Sequence, residues 1–365
     1  MSAFELARSF ALEGRRVGVG QPVFVIAEIG VNHNGDLDLA RALVDAAAAC
    51  GADCVKLQTF RAEEFMADRS LVYEYESAGQ KVRENMFDMF KRLEPPSTWY
   101  PEILSRTRGH GMVPLTSVAD PSSLDLVDGL GISGFKLSSE DLVNLPLVEY
   151  AAAKGKPLLL STGMADAEEV SDALAVLARH GNTQAAFLHC VSVYPTPDAE
   201  VCLGRIHALR ALTGPNVGYS DHATGIEAAL GAVALGATIV EKHFTLDRNL
   251  PGPDQSFSSD PAEFTQLVRA VRRMEAIRGG DRIEPSRSEL ELRKTFRRSI
   301  VAAYDLPAGH VLVREDLVVK RPGHGLKAAH MPALIGRRLK VAVATDEAIL
   351  PDALEGDRLN PLSKR

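Results

Sequence analysis

Eight short β-branched runs recur along the chain, each followed by a segment of helical period. They are Val23–Ala27, Cys54–Leu57, Val113–Leu115, Gly134–Leu137, Pro157–Leu160, Ala185–Leu188, Asn216–Tyr219 and Thr238–Val240. The intervening segments, such as Leu37–Ala49, Ala167–Ala178 and Gly225–Leu235, are rich in Ala and Leu at helical spacing. Strands that are apolar throughout bury both faces, so this alternation predicts a parallel sheet covered by helices. An open doubly wound sheet is the alternative architecture. Eight regular units favour an α/β fold of the (β/α)8 TIM-barrel type.

The residues that end these runs are polar in phase. The ends lead into Glu28, then Lys56 and Gln58, Thr116 and Ser117, Lys136 and Ser139, and Ser161 and Thr162. They continue with His189 and Ser192, Ser220, Asp221 and His222, and Glu241, Lys242 and His243. In a parallel barrel all eight ends meet at one face, where such folds carry their sites. A polar change at every strand end therefore predicts a site assembled from the whole ring.

Composition narrows the class of function. The chain has 365 residues, and at roughly 150 residues per domain it should hold a large barrel and a smaller module. Its 41 Lys+Arg against 48 Asp+Glu leave a net charge of -7, which speaks against a general nucleic-acid binder. Cys50, Cys54, Cys190 and Cys202 have no CxxC spacing, so four free thiols in a reducing cytoplasm are expected, not a disulfide or zinc framework. Residues 1–20 carry Glu5, Arg8, Glu13, Arg15 and Arg16 without an apolar core, so no signal peptide is expected there. The stretch Ala228–Val240 is too short and glycine-broken for a membrane span.

The segment from Arg61 to Pro96 departs from the repeating unit. Charged and aromatic, with Tyr73, Tyr75, Phe87 and Phe90, it reads as a helical excursion at the barrel mouth or a surface insertion. Gly279-Gly280 opens a linker, and the texture beyond Arg298 turns to short strands and turns such as LPAG and RPGHG. The arginines between 269 and 298 are interleaved with acids and read as a solvated surface. The expected organisation is an extension over 1–20, a barrel over 21–280, a linker over 281–297, a compact module over 298–356 and a tail over 357–365.

Two groups of residues carry chemistry. His222 and His243 lie at the ends of neighbouring strands, which run about 4.8 Å apart, so their imidazoles can share one divalent ion completed by water and substrate. Glu28, Asp221 and Glu241 are further candidate ligands or supports. Lys56 and Lys136, with Ser117 and Ser139, suit a phosphate or carboxylate pocket. A Schiff-base lysine and structural lysines paired to barrel carboxylates stay open as alternatives. There is no Walker P-loop and no GxSxG, and the GVG at Gly18–Gly20 precedes the first run, so it is no dinucleotide fingerprint.

The motifs AEIGVNHNG (Ala27–Gly35), VKLQTF (Val55–Phe60), KLSSEDLVNLPLV (Lys136–Val148), LSTGM (Leu160–Met164), LHCVSVYPTP (Leu188–Pro197), GYSDHATG (Gly218–Gly225) and EKHFTLDRNLPGPD (Glu241–Asp254) resemble the sialic acid synthase family. The tail, RRSIVAAYDLPAG through VVKRPGHG to IGRRL, is similar to that family's antifreeze-like (SAF) module, a small domain of β-clip type. The resemblance spans about residues 20–354. It implies a TIM barrel joined to the SAF domain, in a domain-swapped homodimer where each small domain caps the other chain's barrel. It also implies a cytoplasmic transferase that condenses phosphoenolpyruvate with N-acetylmannosamine or a related 2-acetamido-hexose. Phosphate is released, and Mn2+ or Mg2+ is required.

Residue by residue, the resemblance makes His222 and His243 metal ligands. It gives the phosphoenolpyruvate pocket to Lys56, Gln58, Ser117, Lys136, Ser139, Ser161, Ser192 and Ser220. Ser192 stands where some members place an amide. Glu28 matches the acid near the sugar aldehyde, Tyr194 and Asp254 match sugar contacts, and Arg321 matches an arginine that reaches the acyl group across the dimer. Glu140 stands where members commonly have glycine, and the acidic position is kept as Asp141. Glu28 and Asp141 are the candidates for proton transfer. Within the family the acceptor stays open, between N-acetylmannosamine and the diacetamido sugars of legionaminate and pseudaminate synthases, or a spore-coat polysaccharide precursor. A related phosphoenolpyruvate-condensing enzyme that takes a phosphorylated sugar is the other enzymatic reading. A non-catalytic sugar-binding protein is the reading from outside enzymes.

Overall fold

The computed structural model describes residues 4–280 and 282–356. The chain divides into two compact units, residues 1–279 and 280–365. Each is built around its own core, and the tail assigned to 357–365 lies outside the described residues.

The strands, in chain order, are β1 (Ser9–Leu12), β2 (Arg15–Gly18), β3 (Phe24–Glu28), β4 (Cys54–Thr59), β5 (Val72–Ser77), β6 (Gln80–Asn85) and β7 (Val113–Val118). Then follow β8 (Phe135–Leu137), β9 (Leu158–Ser161), β10 (Ala185–Cys190), β11 (Val217–Asp221), β12 (Ile239–His243), β13 (Ser299–Ala302) and β14 (Leu317–Lys320). Strands β3, β4, β7, β8, β9, β10, β11 and β12 close into one barrel in that order. Every pair in it is parallel. The (β/α)8 barrel expected from the eight apolar runs is therefore present.

Side chains alternate along each strand, so every barrel strand faces two environments. One phase, including Val25, Val55, Phe135, Leu160, Phe187 and Val240, packs outward against the helices. The other, including Phe24, Ile26, Cys54, Leu115, Leu159, Leu188 and Ile239, fills the barrel interior. Continued towards the strand ends, the interior phase reaches Glu28, Lys56, Ser117, Lys136, Ser161, Cys190, Ser220, Glu241 and His243. The helices start where the sequence supplies caps: Asp36 accepts from the first turn of Leu37–Ala49, and Asp166 with Glu169 forms a capping box on Ala167–Arg179.

Two segments differ from their sequence reading. Within the stretch 1–20, expected to be an N-terminal extension, Ser9–Leu12 and Arg15–Gly18 form the antiparallel hairpin β1–β2. Its Phe10, Leu12 and Val17 join the interior cluster with Phe24, Ile26 and Val113, so the hairpin closes the barrel floor. Gly134 has no side chain because Leu12 and the Pro157 carbonyl occupy the space a Cβ would need. The excursion 61–96 is not purely helical. It contains the hairpin β5–β6 between the short helix Ala62–Phe65 and the helix Met86–Leu93. Strands of only six residues, mostly charged or exposed, hid this hairpin, whereas the aromatic residues now explain themselves. Phe60, Phe65 and Phe90 meet edge to face, and Tyr73 stacks on Tyr75.

In the second unit β13 pairs antiparallel with β14 around a core of Ile300, Leu312, Leu317, Leu334, Leu339 and Ile349. The buried Asp316 anchors this unit by accepting bonds from Tyr304 Oη and the Val313 amide and by pairing with His310. The stretch read as a linker, 281–297, holds the helix Arg287–Phe296, opened by a Ser286–Glu289 capping box. Among the described residues no helix is long and apolar enough to cross a membrane.

Candidate active site

The register of the barrel sets the site. Glu28 lies opposite Lys56, Gln58 opposite Ser117, Ser117 opposite Lys136, Ser220 opposite Glu241, and His243 opposite Glu28. Interior polar residues from six neighbouring strands thus form one continuous layer above an apolar floor.

Its centre is a charge network. Lys56 contacts Glu28 directly, and its Nζ lies 3.8 Å from Glu241 Oε2. Lys136 Nζ lies 3.8 Å from Glu241 Oε1 and bonds the Leu137 carbonyl at 3.2 Å. Ser220 Oγ donates to Glu241 Oε1 at 2.9 Å. Lys56, Lys136 and Glu241 are only 4%, 2% and 5% exposed, so their charges are felt at low dielectric. Burial alone would raise the Glu241 carboxyl, but Lys136, Lys56 and the Ser220 bond outweigh it and hold it down at about 2. Burial lowers the Lys136 ammonium from its ordinary value, with Glu241 opposing. Burial also acts downward on Lys56, yet Glu241 and Glu28 carry that ammonium upward. Glu28 is pushed up by its own burial against the pull of Lys56 and His243.

The remaining pocket residues gather round this network. Gln58 Nε2 donates to Glu28 Oε1 at 3.3 Å. Gly30 lets both approach, since a Cβ there would collide with the Glu28 carboxylate and the Gln58 amide. Ser139 Oγ accepts from the Gly163 amide at 3.0 Å, and a Cβ on Gly163 would collide with both Ser139 and Ser192. The Ser161 and Ser192 hydroxyls are buried without a hydrogen-bond partner, which leaves donors facing the pocket. Asp141 accepts from Ser138 Oγ at 2.5 Å. Its carboxyl is pushed up to about 7, chiefly by burial and in part by neighbouring Glu140, against the Ser138 bond.

The two histidines sit side by side, with ring centroids 5.3 Å apart. His222 Nδ1 bonds the Val191 carbonyl at 2.8 Å, which places its proton there and turns Nε2 into the free donor atom. His243 Nδ1 is buried without a hydrogen-bond partner and lies 3.4 Å from Asp254 Oδ2. Tyr194, 44% exposed, packs 4.2 Å from the His222 ring and 5.2 Å from Phe257. The donor set suits a divalent ion: two imidazoles, one oriented by a backbone carbonyl and one with an orphaned nitrogen. Among the described residues no group of three or more His, Cys, Asp or Glu is arranged to hold a metal.

Some residues are sorted differently from the sequence reading. Asp221, named as a further ligand candidate, belongs to the outward phase. It binds Lys242 Nζ at 2.8 Å, the Ala223 amide at 2.9 Å and Tyr219 Oη at 3.1 Å. His189 also points away, bonding the Val201 carbonyl at 2.7 Å. Arg321 lies in the second unit, where the sequence reading also has it, its guanidinium 5.3 Å from the Phe296 ring. Cys190, read only as one of four free thiols, places Sγ 3.7 Å from His222 Nδ1. Phe257, 5.1 Å from His243, had no sequence signal beyond its aromaticity. All four cysteines are free: Cys50, Cys54 and Cys190 are buried and Cys202 is exposed.

A model of the NeuB family matches residues 43–282. The chain belongs to the NeuB family. A SAF domain matches residues 297–355, so the order of modules in this family member is barrel then SAF domain. The chain is 36% identical over 342 residues to N,N'-diacetyllegionaminic acid synthase of Legionella pneumophila, covering 93% of this chain and 96% of that protein. It is 32% identical over 348 residues to N-acetylneuraminate-9-phosphate synthase of Mus musculus, covering 94% and 95%. Among solved structures it is similar to the N-acetylneuraminic acid synthetase of Leptospira borgpetersenii in complex with citrate. That match has a TM-score of 0.72 and 32% identity, over 79% of this chain and 96% of the other. The family relationship agrees with the layer of residues at the barrel mouth.

Proposed function

We propose that this NeuB-family protein is a nonulosonate synthase that condenses phosphoenolpyruvate with an unphosphorylated 2-acetamido-hexose, of the N-acetylmannosamine or diacetamido type, and releases phosphate. The observation that carries this reading is the convergence of Lys56, Lys136 and the unpartnered Ser161 and Ser192 hydroxyls beside the His222–His243 pair in one barrel mouth. Cationic and hydroxyl donors suit a phosphate ester, and the neighbouring histidines suit a divalent ion.

The chain's own residues then divide the work. Lys56, Lys136, Ser139, Ser161, Ser192 and Ser220 hold the phosphate and carboxylate, with Ser117 and Gln58 lining the same pocket. His222 and His243 would hold Mn2+ or Mg2+, which when bound polarises the sugar aldehyde as a Lewis acid. Tyr194, Asp254 and Glu28 orient the sugar so that its aldehyde faces carbon 3 of the enol ether, and holding both reactants makes their encounter effectively intramolecular. Carbon 2 then becomes electron-poor and takes up water. Glu28, pushed up by burial, and Asp141, pushed up to about 7, are the groups suited to hold or give up the accompanying protons. The lysines and hydroxyls stay on the phosphate as the tetrahedral centre collapses. In this reading the active form is a dimer in which Arg321 is supplied by the second chain.

The test is phosphate release from phosphoenolpyruvate with a panel of acetamido-hexoses, their 6-phosphates included, in Mn2+ and after chelation. Release that depends on both sugar and metal supports the proposal, and the steepest response names the acceptor. Release only with phosphorylated sugars moves the acceptor to that class. Failure of phosphoenolpyruvate to bind at all sinks the reading.

A further inference from the structure

Glu241 has no part in the division of labour above, yet three of the phosphate-pocket residues converge on it. Ser220 donates to its Oε1, Lys136 stands 3.8 Å from the same oxygen, and Lys56 stands 3.8 Å from Oε2. Oε2 is buried and has no hydrogen-bond partner. The 3.8 Å spacings fall within ion-pair reach and beyond a hydrogen bond, so both ammonium groups feel the carboxylate without being locked to it. With Glu28 against Lys56, the innermost layer sets two cations against two acids. A pocket meant only to grip a phosphate would leave its lysines uncompensated.

We infer that Glu241 is a placeholder anion: it balances the Lys56 and Lys136 charges while the phosphate position is empty, and its charge limits how tightly the pocket retains inorganic phosphate after the reaction. Glu241 is thus a positioning residue acting through the two lysines, and the inference rests on the synthase reading of this pocket. Its consequence is opposite in sign to that of a structural role. Removing a structural carboxylate loosens the lysines and weakens phosphate binding. Removing a placeholder exposes two buried cations to the phosphate and strengthens it.

The experiment titrates inorganic phosphate into the full-length protein by calorimetry and follows steady-state turnover. It compares wild type, Glu241→Gln and the double variant Glu241→Gln/Lys136→Gln. Glu241→Gln should bind phosphate about tenfold more tightly, since a buried unit charge near the anion is worth at least one decade. Its kcat should fall while product inhibition deepens. The double variant removes one charge of each sign, so its phosphate affinity should return close to the wild-type value. If Glu241→Gln does not fold, the electroneutral double variant carries the test. Weaker phosphate binding by Glu241→Gln, or by the double variant alone where only that folds, overturns the placeholder role. A wild-type protein that binds neither phosphate nor phosphoenolpyruvate overturns the synthase reading as well, so the two failures are distinct.

Discussion

Replacing Lys242 with Met tests the assignment of inward and outward phases at the strand ends. Lys242 neighbours His243 in sequence, yet its ammonium lies outside the barrel, paired with Asp221 at 2.8 Å and with the Ala223 carbonyl at 2.6 Å. The two side chains are 2% and 0% exposed. Breaking a buried pair by removing one partner costs about 3–5 kcal/mol, because the other charge stays desolvated. Asp221 keeps Tyr219 Oη and the Ala223 amide as donors, which places the expected loss near the lower end, about 3 kcal/mol. At roughly 2–4 °C per kcal/mol for a large domain, the barrel transition should fall by about 6–12 °C. The assays are thermal and urea unfolding of the full chain, with steady-state turnover measured well below the transition. Turnover and Mn2+ affinity should stay near wild type, since neither residue faces the mouth. The double variant Lys242→Met/Asp221→Leu should recover most of the lost stability. A loss below about 1 kcal/mol would refute the buried-pair argument. Full stability with abolished turnover would instead return Lys242 and Asp221 to the site.

His222→Ala should abolish turnover and weaken Mn2+ binding by equilibrium dialysis while leaving the melting profile intact; near-full metal-dependent activity would sink its assignment. Asp141 has an ordinary value of 3.8 and is held near 7 in the folded protein, so the folded form keeps a proton that the unfolded chain releases first. Stability linked to it is therefore present below about pH 4 and lost as pH rises through about 7, on the order of 4 kcal/mol across the shift. Asp141→Asn should flatten that slope and remove any limb near neutrality from the pH–rate profile. Leu12→Ala should lower stability by about 2–5 kcal/mol, because it opens a cavity under the barrel floor; no change in melting would show that the hairpin only rests there. Mixing inactive Arg321→Ala chains with inactive His222→Ala chains should restore activity if Arg321 acts in trans, since one site of each mixed dimer is then complete; no restoration would count against the swapped dimer.

The barrel and much of its mouth were legible from local pattern. Parallel strands buried on both faces must be apolar along their length, so the eight runs stood out, and the polar residues at their ends marked the candidate site. Lys56, Lys136, Ser220, His222 and His243 were accessible because a strand end is a position that sequence can count. The motifs then tied those positions to the sialic acid synthase family, in agreement with the NeuB and SAF matches. Other features depended on partners far away in the chain. Which of two adjacent polar residues faces inward depends on strand phase and closure, and this separates Glu241 from Lys242 and His222 from Asp221. The β5–β6 hairpin is short and largely exposed, with only Val72, Tyr73, Tyr75 and Val82 among charged and polar residues, so its alternation carries little hydrophobic signal.

Sequence by itself determined the repeating unit, the number of barrel strands, the order of modules and the chemical types gathered at one end of the barrel. These follow from hydrophobic periodicity and local turn chemistry, which act over a few residues. Tertiary structure alone decided that the first hairpin seals the barrel floor, that Asp221 is spent on Lys242, and that Glu241 faces both pocket lysines. The physical reason is that a charge or an apolar side chain acquires its role from what lies within a few ångströms, and those neighbours come from strands tens to hundreds of residues apart.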